Sequence, residues 1–165
     1  MDEFLDPLDS QQEDPSGELE RLAREALEAQ AETNDPIATR QRCQRVIDLY
    51  AGGWIQNERD NFYAAWVMIC GESQGHFSLA QLFARRSAEL GEDRAWTLWA
   101  MAWDRWLVAA GKPQRFGTQI IKQHGRWSLG VVDPAISDLE RALFAVPPLY
   151  VQLQRAEQLQ RQENN

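Results

Sequence analysis

Apolar residues recur at intervals of three and four along most of this chain, and glycines or prolines interrupt the pattern between segments. In residues 17–33 the recurring apolar residues are Leu19, Leu22, Ala23, Ala26 and Leu27. This spacing places side chains on one face of an α-helix, whereas a half-buried strand would alternate apolar and polar residues. Each such helix must bury its apolar face against another element, so the pattern predicts a mainly α-helical fold.

The same pattern predicts a small domain of six to seven helices. The segments are 17–33, 35–52, 58–71, 76–90, 95–110, 133–146 and 149–160. Asp35–Pro36 and Asp133–Pro134 predict the starts of the second and sixth helices, because aspartate caps a helix and proline suits its first position. In the last two segments the residues expected on the inner face are Ile136, Leu139, Leu143, Phe144, Leu149, Leu153, Ala156 and Leu159.

One stretch between the fifth and sixth predicted helices has a different character. Residues 117–122 and 126–132 contain several β-branched and aromatic residues, and they flank the pair His124–Gly125. Such a pattern around a short turn is typical of a β-hairpin. We therefore expect one short β-hairpin at about 117–132 within a single helical domain that spans residues 17–165.

The net charge of −8 is concentrated at the N-terminus of the chain. Eight acidic residues precede Arg21, the first basic residue, and the 17 acidic and 17 basic residues that remain balance each other. Residues 1–16 contain few apolar residues besides Phe4, Leu5 and Leu8, so we expect a disordered acidic tail. Because no basic cluster offsets this charge, we expect no binding to nucleic acids or to anionic membranes.

Other sequence features restrict the location and the chemistry of the protein. The chain has no run of about 18 apolar residues, and it does not begin with the basic and apolar regions of a secretory signal. These features predict no membrane span and a cytoplasmic location. Cys43 and Cys70 form no Cys-x-x-Cys pair, and His76 and His124 are far apart, so we expect buried thiols, structural histidines, no metal and no cofactor. The chain also lacks glycine-rich nucleotide-binding loops.

The fifth predicted helix has the most unusual composition. Its tryptophans are Trp96, Trp99, Trp103 and Trp106. They lie on one face of the helix and form either a stacking surface for a ligand or part of the core, which we favour. Asp104 and Arg105 interrupt the apolar pattern without an opposite charge four residues away. Asp104 is therefore expected to be at least half enclosed, either bonded to a backbone amide or an arginine, or placed in a polar site.

The segment after this helix reads Gly111-Lys112-Pro113-Gln114, followed by Phe116-Gly117-Thr118-Gln119. Together with Asp104-Arg105 it resembles the signature of a bacterial family of unknown function, and Pro134-Ala135-Ile136 with Asp138 is similar to the last part of that signature. The resemblance implies a fold but no activity. The family also has a Gln-His pair at the end of an earlier helix. Residues 69–72 of this chain contain neither residue, so chemistry that needs that histidine is in doubt here.

Two hypotheses for function follow from these residues. The first is a non-enzymatic accessory protein that binds another protein, with Phe4, Leu5 and Leu8 of the acidic tail as candidate contacts. The alternative is a small-molecule-binding protein or enzyme with a polar pocket at the junction between Asp104 and Gln119. The candidate ligand-binding residues are Asp104, Arg105, Gln114, Thr118 and Gln119. They offer carboxylate, guanidinium, amide and hydroxyl groups for hydrogen bonds, but no nucleophile stands beside a base.

Overall fold

Helices dominate the computed structural model, which describes residues 14–32 and 35–165. The described residues form seven α-helices and one β-hairpin, as the apolar spacing predicts. In chain order the elements are α1 (Pro15–Glu32), α2 (Pro36–Ala51), α3 (Glu58–Ile69), α4 (Gln74–Glu89), α5 (Ala95–Ala109), β1 (Ile121–Gln123), β2 (Arg126–Ser128), α6 (Asp138–Leu143) and α7 (Leu149–Glu163).

Helix α1 begins at Pro15, which is earlier than the expected boundary between the tail and the domain at residue 17. Asp14 Oδ1 accepts a hydrogen bond of 2.7 Å from the Gly17 amide, and the Ser16 hydroxyl donates to Asp60 on α3 at 2.5 Å. These contacts connect the start of α1 to the start of α3. The candidate contacts Phe4, Leu5 and Leu8 lie outside the described residues, and the prediction about the tail remains a prediction.

The main core lies among the first five helices. Leu19, Val46, Met68, Phe83 and Leu98 are each at most 1% exposed, and they come from α1, α2, α3, α4 and α5 respectively. Helix α3 contacts each of the other four helices, so it occupies the centre of this group. Burial of these apolar side chains is the principal source of stability for the group.

The tryptophans of α5 connect this core to a second, smaller one. The buried residues of the second core are Ala100, Phe116, Ile136 and Val146. Trp99 packs against both cores, and its ring centroid lies 4.9 Å from that of Trp103 and 4.9 Å from that of Phe144. Aromatic pairs at such distances stabilise a core beyond their buried area alone. Packing therefore accounts for Trp96, Trp99 and Trp103, in agreement with the interpretation favoured from the sequence, whereas Trp106 belongs to neither core and its ring lies 5.6 Å from the Lys112 ammonium.

The β-hairpin forms at the place that the sequence predicts. Ile121 pairs with Ser128 and Gln123 with Arg126 in an antiparallel register. The turn residues His124 and Gly125 have φ angles of +50° and +77°, which a two-residue hairpin turn of type I′ requires. Helix α7 packs against this hairpin. The Trp127 amide donates to Gln160 at 2.9 Å, and its indole Nε1 donates to Glu163 at 2.7 Å. Lys122 forms an ion pair with the same Glu163 carboxylate.

The predicted start of the sixth helix is wrong. Helix α6 begins at Asp138 and is capped by Ser137, whose hydroxyl accepts from the Glu140 amide while the Glu140 carboxylate accepts from the Ser137 amide. Asp133 instead accepts a hydrogen bond from the Ala135 amide at 2.9 Å and forms a local turn. An aspartate before a proline favours either a helix start or a local turn. Here the reciprocal cap formed by Ser137 and Glu140 determines where the helix begins.

The predicted inner face of the last two helices is also partly wrong. Leu139, Leu143 and Leu153 are 76%, 70% and 48% exposed. Because α6 has only six residues, it has a single inner position, and Arg141 occupies it with 2% exposure. Ala156 of α7 is buried as predicted. The exposed leucines leave apolar surface on α6 and α7.

Ala145 offers a direct test of backbone strain just after α6. Its φ is +51°, a left-handed conformation that an L-residue adopts at a cost and glycine adopts freely. We expect Ala145→Gly to raise the free energy of unfolding by about 0.5–1 kcal/mol in urea denaturation. The control is Ala142→Gly within α6, which should lower it by a similar amount because glycine weakens a regular helix. Destabilisation by both substitutions would contradict the assigned strain.

Candidate functional site

A cavity of about 360 Å³ lies where the junction of α3 and α4 meets α5 and the segment that leads into β1. Its lining residues are Gln30, Cys70, Gly71, Glu72, Phe77, Arg105, Val108, Ala109, Gln119, Ile120 and Ile121. The wall is of mixed polarity: apolar residues alternate with the polar side chains of Arg105, Glu72 and the two glutamines. Of the five ligand-binding residues that the sequence predicts, the cavity is lined by Arg105 and Gln119.

Arg105 is the cation of this cavity. One of its terminal nitrogens, Nη2, donates to the Gly71 carbonyl at 3.3 Å, and the guanidinium carbon lies 4.7 Å from the centroid of the Phe77 ring. Its Nε is buried without a hydrogen-bond partner, and the guanidinium forms no ion pair with any residue that the structure describes. Burial lowers the pKa of Arg105 from its ordinary value, and the nearby Cys70 opposes this effect. The cation is therefore poorly hydrated and is balanced only by a carbonyl and an aromatic ring.

Gln119 is held beside Arg105 by its own backbone and side chain. Its amide nitrogen Nε2 donates to the Thr118 hydroxyl at 3.1 Å and to the Met101 carbonyl at 3.5 Å. The backbone N–H of Gln119 donates to Gln114 Oε1 at 2.8 Å. These bonds fix the position of the Gln119 side chain at the wall of the cavity.

Asp104 is fully buried and does not line the cavity. Its carboxylate accepts four hydrogen bonds, from the backbone amides of Arg115, Phe116 and Thr118 at 2.7, 3.0 and 2.8 Å and from the Thr118 hydroxyl at 2.7 Å. Both oxygens are thus occupied within the protein. These groups hold the loop after α5 in place, and the prediction that Asp104 and Thr118 bind a ligand stays a prediction.

Gln114 has a similar internal role and is 1% exposed. Its Nε2 donates to the carbonyls of Gln119 and Leu129 at 2.9 and 2.5 Å, and its backbone N–H donates to the Val131 carbonyl at 2.9 Å. The loop after α5 is thereby bonded to the segment that follows β2. The Gln114 side chain is buried and hydrogen-bonded within the protein, and the prediction that it binds a ligand stays a prediction.

The thiol in the cavity wall is not activated as a nucleophile. Burial raises the pKa of Cys70 to about 11, and the positive charges of Arg105 and Arg42 oppose this effect only in part. The pKa of Cys43 is also raised to about 11, mainly by burial. Both cysteines are free and buried, as the sequence predicts. Thiols with such pKa values are protonated at neutral pH, and the thiolate is the nucleophilic form.

His76 holds the turn that forms one side of the cavity. Its Nδ1 accepts from the backbone amides of Glu72 and Ser73 at 3.1 and 3.4 Å, and its own amide donates to the Ser73 hydroxyl at 3.1 Å. A Cβ atom at Gly71 would lie 2.4 Å from His76 Nδ1, so this tight turn requires glycine at position 71. His76 therefore acts as a cap of α4, which agrees with the predicted structural role.

The cap makes stability depend on pH. Burial lowers the pKa of His76 below its ordinary value of 6.5, with Glu72 opposing, and Nδ1 must be unprotonated to accept its hydrogen bonds. The unfolded chain takes up this proton at a higher pH than the folded protein. We therefore expect the free energy of unfolding to fall as pH decreases from about 7 through about 6.5, until the folded histidine is also protonated.

Urea denaturation across this pH range tests the role of His76. His76→Gln keeps an acceptor for the cap but does not titrate, so it should flatten the dependence on pH. His124→Asn is the control, because asparagine tolerates the left-handed conformation of the hairpin turn and this variant keeps His76. If His76→Gln retains the full pH dependence, His76 is not its source.

The sequence alone did not indicate several residues of the cavity. Gly71, Phe77, Ile120 and Ile121 come from three separate parts of the chain. Ile120 and Ile121 were recognisable only as β-formers, and Gly71 only as part of a segment that departs from the family pattern. The available local signal was Ser73, because serine is a preferred N-cap and it lies three residues before His76.

Two further findings concern metal-binding groups and membrane-spanning helices. Within residues 14–32 and 35–165, no group of three or more His, Cys, Asp or Glu residues is placed to hold a metal ion. No helix in the described part of the chain is long and apolar enough to cross a membrane.

The resemblance to a bacterial family stays a prediction. No family model matches the chain, and no curated protein or solved structure matches it either.

Proposed function

We propose that the protein binds a small organic anion in the cavity beside Arg105. The observation that carries this proposal is a partly buried guanidinium that lines a cavity and has no carboxylate partner among the described residues. A buried charge without a partner is unfavourable, and an anionic ligand would supply the missing charge and hydrogen-bond acceptors.

The form of the cavity supports the same function. Pockets for small ligands commonly have about 300–1,000 Å³ and mostly apolar walls with a few fixed polar groups. This cavity has about 360 Å³, and Gln119 is fixed beside Arg105 by the hydrogen bonds of Thr118 and Gln114. The arrangement favours binding over catalysis, because the Cys70 thiol has a raised pKa and Nδ1 of His76 is occupied by the helix cap.

Titration monitored by NMR tests this function. The probes are acetate, isovalerate and inorganic phosphate at constant ionic strength, observed through the backbone amides of Gly71, Glu72 and Gln119. We expect at least one anion to shift these resonances, and Arg105→Gln to weaken that binding by about tenfold or more. Arg40→Gln is the control, because Arg40 is exposed and lies 3.9 Å from Glu72 at the rim. Equal binding by wild type and Arg105→Gln would refute the proposal.

A second candidate function is interaction with another protein, which we propose on a separate observation. Leu139, Leu143, Tyr150 and Leu153 on α6 and α7 are between 48% and 76% exposed. Contiguous exposed apolar residues are typical of surfaces that bind partners, and Leu139 and Leu143 lie one helical turn apart on α6. The combined substitution Leu139→Ser and Leu143→Ser should reduce partner capture from the native lysate, and deletion of residues 2–13 tests the predicted contribution of Phe4, Leu5 and Leu8. Unchanged capture by both variants would exclude these surfaces.

A further inference from the structure

We infer that the anion bound beside Arg105 is an aliphatic monocarboxylate with a short apolar tail. This inference rests on the proposed function and specifies the chemical class of its ligand. It is supported by the charge of the cavity, by the use of the nearby backbone amides and by the apolar residues of the cavity wall.

The charge of the lining disfavours a dianion. The ionisable side chains in the wall include one cation, Arg105, and one carboxylate, Glu72. Glu72 lies 3.9 Å from Arg40, which offsets only part of its charge because the two side chains are 36% and 62% exposed. A phosphomonoester carries a charge of about −1.5 to −2 at neutral pH, so its second charge would have no partner here and would be repelled by Glu72.

The backbone amides of the residues that line the cavity at the start of α4 are already hydrogen-bonded. Phosphates in proteins are commonly bound by free amides at a helix N-terminus, and α4 begins beside this cavity. The amides of Glu72 and Ser73 already donate to His76 Nδ1, and the amide of His76 donates to the Ser73 hydroxyl. The amide of Phe77 donates to the Ser73 carbonyl at 3.1 Å. Within this wall a phosphate would therefore gain no backbone hydrogen bonds beyond those of the guanidinium, and its second charge would lie near Glu72.

The remaining wall suits an aliphatic group. Phe77, Val108, Ala109, Ile120 and Ile121 line the cavity together with the thiol of Cys70. Arg105 already occupies one face of the Phe77 ring, so an aromatic ligand would have to compete with the guanidinium for that face. A short branched alkyl chain would fill the space between the valine and isoleucine side chains and remove apolar surface from water.

A matched set of probes tests the ligand class by calorimetry. The set is isovalerate, its neutral isostere isovaleramide, isobutyl phosphate, acetate and inorganic phosphate, each at the same ionic strength and pH 7. We expect isovalerate to bind about tenfold or more tightly than isovaleramide, acetate and isobutyl phosphate. Arg105→Lys, which keeps the charge but loses the planar fork, should weaken isovalerate binding by about tenfold. Ile120→Asn should weaken isovalerate binding but leave acetate binding unchanged. Thermal melting of each variant confirms that it is folded.

The outcomes separate the two proposals. If isobutyl phosphate or inorganic phosphate binds more tightly than isovalerate and Arg105→Gln abolishes this binding, the ligand class is wrong but the anion site stands. If acetate binds as tightly as isovalerate, the apolar wall does not select the ligand and the inferred class is again wrong. If isovaleramide binds as well as isovalerate, or if no probe binds, both the inferred class and the proposed function are overturned.

Discussion

Asp104→Asn is expected to lower the free energy of unfolding by about 3–5 kcal/mol. The Asp104 carboxylate is 0% exposed and accepts four hydrogen bonds from Arg115, Phe116 and Thr118. An asparagine keeps one oxygen acceptor, but its NH2 group would face donors that the second carboxylate oxygen now satisfies. At least one buried amide would then lose its partner, and the charge that strengthens the other bonds would be lost as well.

Urea denaturation and hydrogen exchange measure this effect together. The amides of Arg115, Phe116 and Thr118 should exchange faster in the variant, while amides in α2 change only with global stability. Thr118→Val removes one of the four donors and should cost about 1 kcal/mol. Asp48→Asn is the matched control, because Asp48 is exposed and accepts from Gln44 at 2.9 Å, and it should change stability by about 0.5 kcal/mol or less. A similar loss in Asp48→Asn and Asp104→Asn would contradict the role of the buried carboxylate.

The sequence predicts the helices because their signals are local. The start of α2 at Asp35–Pro36 and the hairpin turn at His124–Gly125 each depend on residues that are neighbours in the chain. The structure contains both features at the predicted positions. The burial of Asp104 also follows from its position next to Trp103 on an apolar helix. Its partners could not be predicted, because the amides that bind it lie 11 to 14 residues further along a loop without a regular spacing.

The incorrect predictions, such as the inner face of α6, arise because tertiary contacts rather than local spacing decide which residues are buried. Leu139 and Leu143 have helical spacing, but Arg141 between them occupies the inner position because it donates to the Phe116 carbonyl in the loop after α5 and to the Ile136 carbonyl before α6. The cavity could not be predicted from the sequence either, because Arg105 and Gln119 become neighbours of Gly71 only when α5 packs against the junction of α3 and α4. Rules based on residue spacing describe one helix or strand at a time. They therefore identify the polar residues between Asp104 and Gln119, but they do not separate the residues that hold the loop after α5 from those that line the cavity.

Arg141→Lys is the second substitution with a large expected effect, a loss of about 2–4 kcal/mol. Arg141 is 2% exposed, and its Nε donates to the Phe116 carbonyl at 2.9 Å. Its Nη1 donates to the Ile136 carbonyl at 2.9 Å and to Asp138 Oδ1 at 3.1 Å. A lysine has a single nitrogen at the end of a flexible chain, so it cannot reach both carbonyls in this geometry, and one of them would be buried without a donor. The buried Nη2 of Arg141 has no partner, and its removal offsets part of the loss.

The double variant Asp104→Asn with Arg141→Lys shows whether the two residues act on one structural unit. Asp104 binds the N–H of Phe116 and Arg141 binds its C=O, so both side chains fix the backbone of the same residue from opposite sides. Once one contact is lost and the loop is displaced, the other contact contributes less to stability. We therefore expect the decrease in the free energy of unfolding of the double variant to be smaller, by at least about 0.5–1 kcal/mol, than the sum of the decreases in the two single variants. Arg161→Lys, an exposed residue of α7 that lies 3.6 Å from Glu157, is the control and should add independently to Asp104→Asn. Strict additivity of Asp104→Asn and Arg141→Lys in urea denaturation would mean that the loop yields separately at each contact, and the cavity wall at Gln119 would then depend on Asp104 and Gln114 alone.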